Sequence, residues 1–424
     1  MPHPGLPRRR LIGAALGAAA GSGALTGFPT IWAQNIREIT LQHAGPPVTA
    51  LPQVAEQATR DLGFTVRMQA SEGADLLNRF LSQSSAIDVA DVSITYLKYL
   101  VGRNVLQTIP LAKMKHWDQT IPLFTKGEYA DGQRASTEGV APYTVLYAAS
   151  EDGKAFAPGP TEWLTSMPSV TNADTLGIRP DKVGRPIESW SELLNPEFKG
   201  KASLLNIPSI GIMDAAMAVE AMGRHKYADK GNMTRAEIDL TMRVLTEAKR
   251  AGQFRAFWKD FNESVNLMAS GETVIQSMWS PAVTAVRSRG IPCTYQPLKE
   301  GYRAWAAGFG LPKTLSGRKL DAAYEFINWF LSGWAGAFLN RQGYYSAVLS
   351  TAQKSMEPYE WDFWMMGKPA AQDIKAPDGT VMEKAGAVRD GGSFEARMGA
   401  VACWNAVMDE NDYMVRKWNE FIAA

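Results

Sequence analysis

The chain has 424 residues, 46% of them apolar and 21% charged, with 44 Lys and Arg against 43 Asp and Glu for a net charge of +1. That balance supplies no bulk attraction to nucleic acid or to an anionic membrane surface, so neither partner is expected. Two cysteines, Cys293 and Cys403, and four scattered histidines, His3, His43, His116 and His225, give no metal-ligand spacing, and no metal or other cofactor is expected.

The first 34 residues read as an export signal. Arg8, Arg9 and Arg10 precede Leu11 and Ile12, an uncharged Ala- and Gly-rich stretch runs over residues 13–33, and the small residue Ala33 stands at a plausible cleavage point. Paired arginines before a weakly apolar core fit the twin-arginine route. The stretch holds Gly, Ser, Thr and Pro where a spanning helix needs about 20 strongly apolar residues, so it predicts no membrane anchor. The mature chain, about 390 residues long, is expected to be a soluble periplasmic protein of two lobes. In that oxidising compartment Cys293 and Cys403 could pair or stay free.

Residues 36–42 read as a strand, 51–62 as an amphipathic helix ended by Gly63, and 64–68 as a second strand. A helix over 74–82 and a strand over 87–92 continue the pattern, which specifies a parallel α/β sheet with crossovers. Residues 143–149 read as a strand, and the Pro-, Gly-, Ser- and Thr-rich stretch 151–186 as a long surface excursion. Ser189 or Ser191 caps a helical turn. Helices follow over 212–222, 235–251 and 261–270, then a strand over 274–279 and a helix over 281–289. The short apolar run 305–311 could cross between lobes, residues 320–338 form a helix or helix pair, and 413–421 a closing helix. The aromatic cluster in 356–368 reads as a docking segment.

The sequence holds no Gly-x-Ser-x-Gly elbow, no Gly-rich phosphate loop with Lys-Ser or Lys-Thr, no Cys-x-x-Cys and no His-Glu-x-x-His. The reading is therefore a receptor rather than an enzyme.

The chain resembles the extracellular solute-binding proteins of ATP-driven importers, in the branch that includes the spermidine/putrescine-binding proteins. The most specific match is residues 190–200, Trp-Ser-Glu-Leu-Leu-Asn-Pro-Glu-Phe-Lys-Gly. Weaker ones are residues 61–66, Ile87 to Val89 leading to Ser93 and Tyr96, Ala141-Pro142-Tyr143, and residues 268–272 and 278–280. Residues 309–313, 323–329 and Gly343-Tyr344 complete the series. The resemblance implies an α/β fold of the type II periplasmic binding protein kind, two lobes closing as a hinged clamp. Lobe one would be residues 35–141 plus 307–344, and lobe two 143–305 plus 350–424. It also implies a small-molecule solute, a permease partner in the inner membrane, and a monomer. The matching cleft positions are Ala44, Gly45, Ser93, Tyr96, Asn206, Trp279, Trp305 and Tyr344.

Polyamine receptors place carboxylates against the ligand's ammonium groups, whereas Ile207, Pro208 and Ala307 stand at the corresponding positions. Desolvating an ammonium without an ionic partner costs several kcal/mol. A less cationic solute, or a diffuse quaternary ammonium held by aromatic faces, is expected instead. Two alternatives remain: ferric-iron binding through the adjacent phenols Tyr344 and Tyr345, and a secreted hydrolase or lyase using dispersed residues. Stretches 151–186 and 351–394 exceed what the resemblance predicts and read as a lid or surface decoration.

Overall fold

The computed structural model describes residues 38–424 apart from Glu72, so the predicted export signal lies outside the described residues. The chain opens as β1 (Thr40–Gly45), α1 (Pro52–Leu62), β2 (Thr65–Ala70), α2 (Gly73–Ser82) and β3 (Val89–Ser93), a parallel βαβαβ run. Proline at the start of α1 uses a position whose N–H would lack a partner anyway. Gly63 ends the helix in the left-handed conformation at φ 73°, its N–H donating to Thr59 O.

Two long strands dominate the rest of the sheet. β4 (Met167–Ile178) is buried along its whole length, and after β5 (Ala202–Leu205), β6 (Phe254–Trp258) and β7 (Ile275–Met278) comes β8 (Tyr302–Pro312). The sheet order is β2-β1-β3-β8-β4-β7-β5-β6. β4 and β8 pair antiparallel and run on from the first half of the sheet into the second. Among the short strands that join this sheet are β9 (Tyr345–Ser346) on β4 and β10 (Val401–Trp404) on β8.

Helices α3 (Pro208–Ala221), α4 (Arg235–Arg250), α5 (Phe261–Ser270) and α6 (Ser280–Arg287) belong to the second half. The side chain of Thr234 accepts from the N–H of Glu237 while Glu237 reaches back to Thr234, and Asp260 caps α5 by accepting from the N–H of Glu263. The run 320–338 resolves into α7 (Gly317–Phe330) and α8 (Trp334–Asn340). The break falls at Gly333, φ 135°, where a Cβ would lie 2.5 Å from Thr351 O. A last helix, α9 (Asn411–Ala423), closes the chain.

Three apolar clusters hold these layers. One packs α1 and α7 against the first half of the sheet, with Leu41, Phe309, Phe326 and Phe330 at its centre. A second packs α3, α4 and α9 on the other half around Trp190, Ile212, Leu245 and Trp418. The third spans both halves across the opposite face of β4 and β8, from Phe80 and Val92 to Val283, Tyr302, Tyr345 and Trp364.

The structure corrects three expectations. The stretch 151–186 is not a surface excursion, because it contains β4, the central strand. Its Ser and Thr side chains imitate a loop, but they are satisfied internally: Ser169 donates to Asp91 (2.7 Å), Thr171 to Trp305 O (2.7 Å) and Thr175 to Gln296 O (3.1 Å). Residues 143–149 are not a strand. Pro142 starts a 3₁₀ turn over Pro142–Val145, and only isolated bridges at Tyr147 and Ala148 follow. The stretch 351–394 is more than decoration, since Phe363, Trp364, Met365 and Ile374 are buried in the spanning cluster. The cysteines are unpaired and buried, and burial pushes both thiols up to about 12.

Candidate functional site

The site is built by strands that stop. Along β8, β3 ends where Ser93 faces Ala307, and β10 ends where Trp404 faces Ala304. Along β4, β7 ends where Met278 faces Thr175, and β9 begins where Tyr345 faces Thr171. Between these stops the two crossing strands have only each other, over Asn172 to Asp174 and Trp305 to Ala306. Four steps of extended chain separate Thr171 from Thr175, an opening of about 13 Å. In open α/β sheets ligands sit at the carboxyl ends of parallel strands, and here such ends from both halves point at one gap.

The eight sequence-predicted residues lie at or near strand ends or on the bare stretch of β8. Ser93 ends β3 and Tyr96 follows it; both are half-buried, with Ser93 Oγ 3.0 Å from Thr95 Oγ1. Trp305 occupies the bare stretch of β8 and meets Tyr344 edge-on, ring centres 6.0 Å apart. Trp279 follows β7 and stands edge-on to Trp258 at 4.8 Å. Asn206 follows β5, its N–H donating to Trp258 O (2.6 Å) and its Oδ1 accepting from Trp418 Nε1 (2.8 Å). So Trp305 with Tyr344, and Asn206 with Trp279 through Trp258, form two aromatic-centred groups, one on the crossing strand β8 and one beyond β5 and β7. Ala44 and Gly45 lie at the end of β1 but are buried. Gly45 is packed from beneath, where a Cβ would lie 2.9 Å from both Asp91 Cβ and His43 Cε1.

Trp418 holds Asn206 from the far side of the second half. Trp418→Phe keeps most of the packing and removes the donor, so it should cost about 1 kcal/mol in urea unfolding while loosening Asn206. A loss of stability much above that would show that the indole bond is structural rather than positioning.

Sequence reading missed the polar set beneath the gap. Arg303 Nε donates to Asp214 (2.6 Å), Nη1 donates to Asn405 Oδ1 (2.7 Å) and lies 3.5 Å from Asp174, all of these side chains being buried. Burial raises the Asp174 carboxyl to about 6 against the pull of Arg303, and raises Asp214 in the same way. Burial opposes the charge on Arg303, but its two carboxylates outweigh that and hold its pKa above the ordinary value. Asp174 sits in the stretch misread as a loop, and Asp214 in the middle of α3 between apolar turns, so an acidic residue flanked by uncharged neighbours was the available signal in each.

Tyr344 and Tyr345 do not converge. Trp305, the partner of Tyr344, is in register with Asn172, whereas Tyr345 is in register with Thr171, and successive residues of β4 face opposite sides. No group of three or more His, Cys, Asp and Glu able to hold a metal occurs among the described residues. In a surface depression beside Arg185 and Ser189, both of these side chains are already engaged. Arg185 pairs with Glu192 (2.7 Å) and Ser189 with Glu300 (2.6 Å). No described helix is long and apolar enough to cross a membrane.

A two-lobed sheet crossed by two strands, with strand ends of both halves meeting at an aromatic gap, defines a solute-binding receptor. The chain belongs to the bacterial extracellular solute-binding protein family, which matches residues 53–362. Its fold is similar to the spermidine/putrescine substrate-binding protein PotD of Streptococcus pneumoniae, at 14% identity and TM-score 0.60 over 91% of this chain and 97% of that one. The TpPotD lipoprotein of Treponema pallidum gives 13% identity and TM-score 0.61 over 91% and 98%. The PBP MotA of A. tumefaciens B6, in complex with glucopine, gives 14% identity and TM-score 0.55 over 90% and 99%. No curated protein matches the chain.

Proposed function

We propose that the chain is the periplasmic substrate-binding component of an ABC importer, exported by its N-terminal signal, and that it captures a small organic solute other than a polyamine in the gap between its lobes. Lobe one is residues 35–141 plus 307–344 and lobe two 143–305 plus 350–424, hinged at β4 and β8. The turn at Ser136 and Glu138 leans on lobe two, through Ser136 to Ala402 O (2.6 Å) and Glu138 to Lys230 (2.8 Å). The solute rests on Trp305, Tyr344 and Trp279, with Ser93, Tyr96 and Asn206 as polar contacts and the backbone at Ala44 and Gly45 closing one end. The protein works as a monomer and hands the solute to membrane permease subunits.

The observation that carries this reading is the meeting of strand ends from both halves at Trp305. Its specificity follows from Ala307, Ile207 and Pro208, which offer no carboxylate to an ammonium. A thermal-shift screen of the exported chain against quaternary ammoniums, amino acids, opine-type conjugates, carboxylates and polyamines tests it. A ligand at 100 times its Kd adds about 2.7 kcal/mol of stability. The expected hit is not a polyamine, and Trp305→Ala or Trp279→Ala should weaken it about tenfold or more. A spermidine hit would refute the specificity argument. A hit indifferent to both Trp substitutions would refute the aromatic gap.

A further inference from the structure

Two guanidiniums lie buried on the side of the crossing strands opposite Trp305, without a carboxylate of their own. Arg389 is 4% exposed. It donates from Nη1 to Trp364 O and from Nη2 to Gly343 O, and its Cζ lies 5.0 Å from the ring centre of Tyr345 and 4.9 Å from that of Trp364. Arg397 is 1% exposed. It donates to Asp390 O and Ala173 O, both at 3.2 Å, and its Cζ lies 5.0 Å from Tyr295, 5.7 Å from Tyr302 and 6.0 Å from Tyr345. The ring of Tyr345 is thus shared by both cations.

The nearby carboxylates are already engaged. Arg287 binds Glu383 and Asp390, and Asp390 also accepts from the N–H of Tyr295 (2.7 Å). Three guanidiniums therefore meet two carboxylates in one buried cluster. Asp174 makes no direct ion pair with Arg397: the Tyr295 hydroxyl, its ring under that guanidinium, donates to Ala173 O (2.6 Å) and lies 3.1 Å from Asp174 Oδ1. Carbonyl oxygens and ring faces solvate a cation but do not neutralise it, and a buried charge without a counter-charge costs several kcal/mol. The same cluster leaves Tyr302 Oη, Tyr345 Oη, Trp364 Nε1 and Arg397 Nε buried with no hydrogen-bond partner at normal geometry. Every one of these atoms can donate a hydrogen bond.

We propose that Arg389, Arg397 and these unpartnered donors enclose a small monovalent anion of halide type. Arg389 belongs to the stretch 351–394, so the anion fastens that stretch to β9 through Tyr345 and to β8 through Tyr302. The site is separate from the solute gap, which lies across the sheet.

The test is a thermal-shift titration of the full exported chain with sodium chloride and sodium bromide, ionic strength held constant with sodium gluconate. The expected result is a saturable rise in Tm, about 2 °C per tenfold halide above its Kd. Bromide-soaked crystals should show an anomalous peak within hydrogen-bond reach of both guanidiniums. Tyr345→Phe, which removes only a hydroxyl, should flatten the titration with the fold intact by circular dichroism. Trp305→Ala should leave it unchanged, because the gap is on the other face. A flat wild-type titration, a water in place of the bromide peak, or a halide response lost in Trp305→Ala would each overturn the proposal.

Discussion

Arg303→Met should destabilise the protein by about 3–5 kcal/mol, since it leaves the carboxylates of Asp174 and Asp214 buried without their cation. Both aspartates are fully buried, so screening by solvent does not soften the loss. Methionine fills much of the arginine stem, which separates the charge effect from a cavity. Urea unfolding at pH 7 measures the cost, and the same measurement at pH 5 checks the cause. Both carboxyls already lie above their ordinary pKa through burial, Asp174 at about 6. Without Arg303 they protonate more readily still, so the deficit should shrink as pH falls. A deficit equal at both pH values would mean that packing, not charge, is lost. Adding Asp214→Asn should recover part of the stability at pH 7, because these groups act as one network.

The second large effect is an acid penalty that resides in one histidine. His43 is buried against Phe309 and Phe326, ring centres 6.0 and 5.5 Å away, and neither ring nitrogen has a partner. Burial lowers its pKa from 6.5 to about 3. The neutral ring is the folded form, so its contribution is fully present above pH 6.5, where the unfolded chain is also neutral. It is lost as pH falls through 6.5 towards 3, because only the unfolded chain then takes up the proton. At about 1.4 kcal/mol per pH step, moving from pH 7 to pH 4 costs about 3 kcal/mol through this group. His43→Leu should therefore gain on the wild type by about that amount across the interval, read as the difference of urea midpoints at each pH. Asp91→Asn should behave with the opposite sign. Burial raises Asp91 to about 6 against its bond from Ser169, so its contribution is full below 3.8 and is lost as pH rises through 6. That variant should gain on the wild type by about 2 kcal/mol between pH 4 and pH 7. Parallel pH profiles for His43→Leu and the wild type would show that the imidazole finds a partner in solution.

Much of the fold was legible because it is written in short-range patterns. The βαβ opening, the helices 235–250 and 261–270 and the helix pair before Tyr344 all carry periodicity with caps or a glycine stop within a few residues. β4 was not legible. A strand buried on both faces in the middle of a sheet needs no alternation, and Ser169, Thr171, Asn172 and Thr175 look like loop residues until Asp91, Trp305 O and Gln296 O are brought to them from other parts of the chain. The predicted strand at 143–149 failed for the converse reason: its apolar residues pack, but Pro142 sets a turn that local composition did not weigh.

The sequence by itself determined the class of the molecule: an α/β receptor with aromatic residues after its strands and no catalytic motif, because strand ends, helix caps and motif absences are local properties. The tertiary structure decided which strands cross between halves, that Arg303 lies between Asp174 and Asp214, that Tyr344 and Tyr345 face opposite sides, and that Arg389 and Arg397 share one aromatic cage. They rest on contacts between residues tens to hundreds of positions apart, such as Arg303 with Asp174 and Arg389 with Tyr345. Which partner satisfies a buried charge is fixed by sheet register and packing, and neither is encoded in the neighbourhood of the residue that carries the charge.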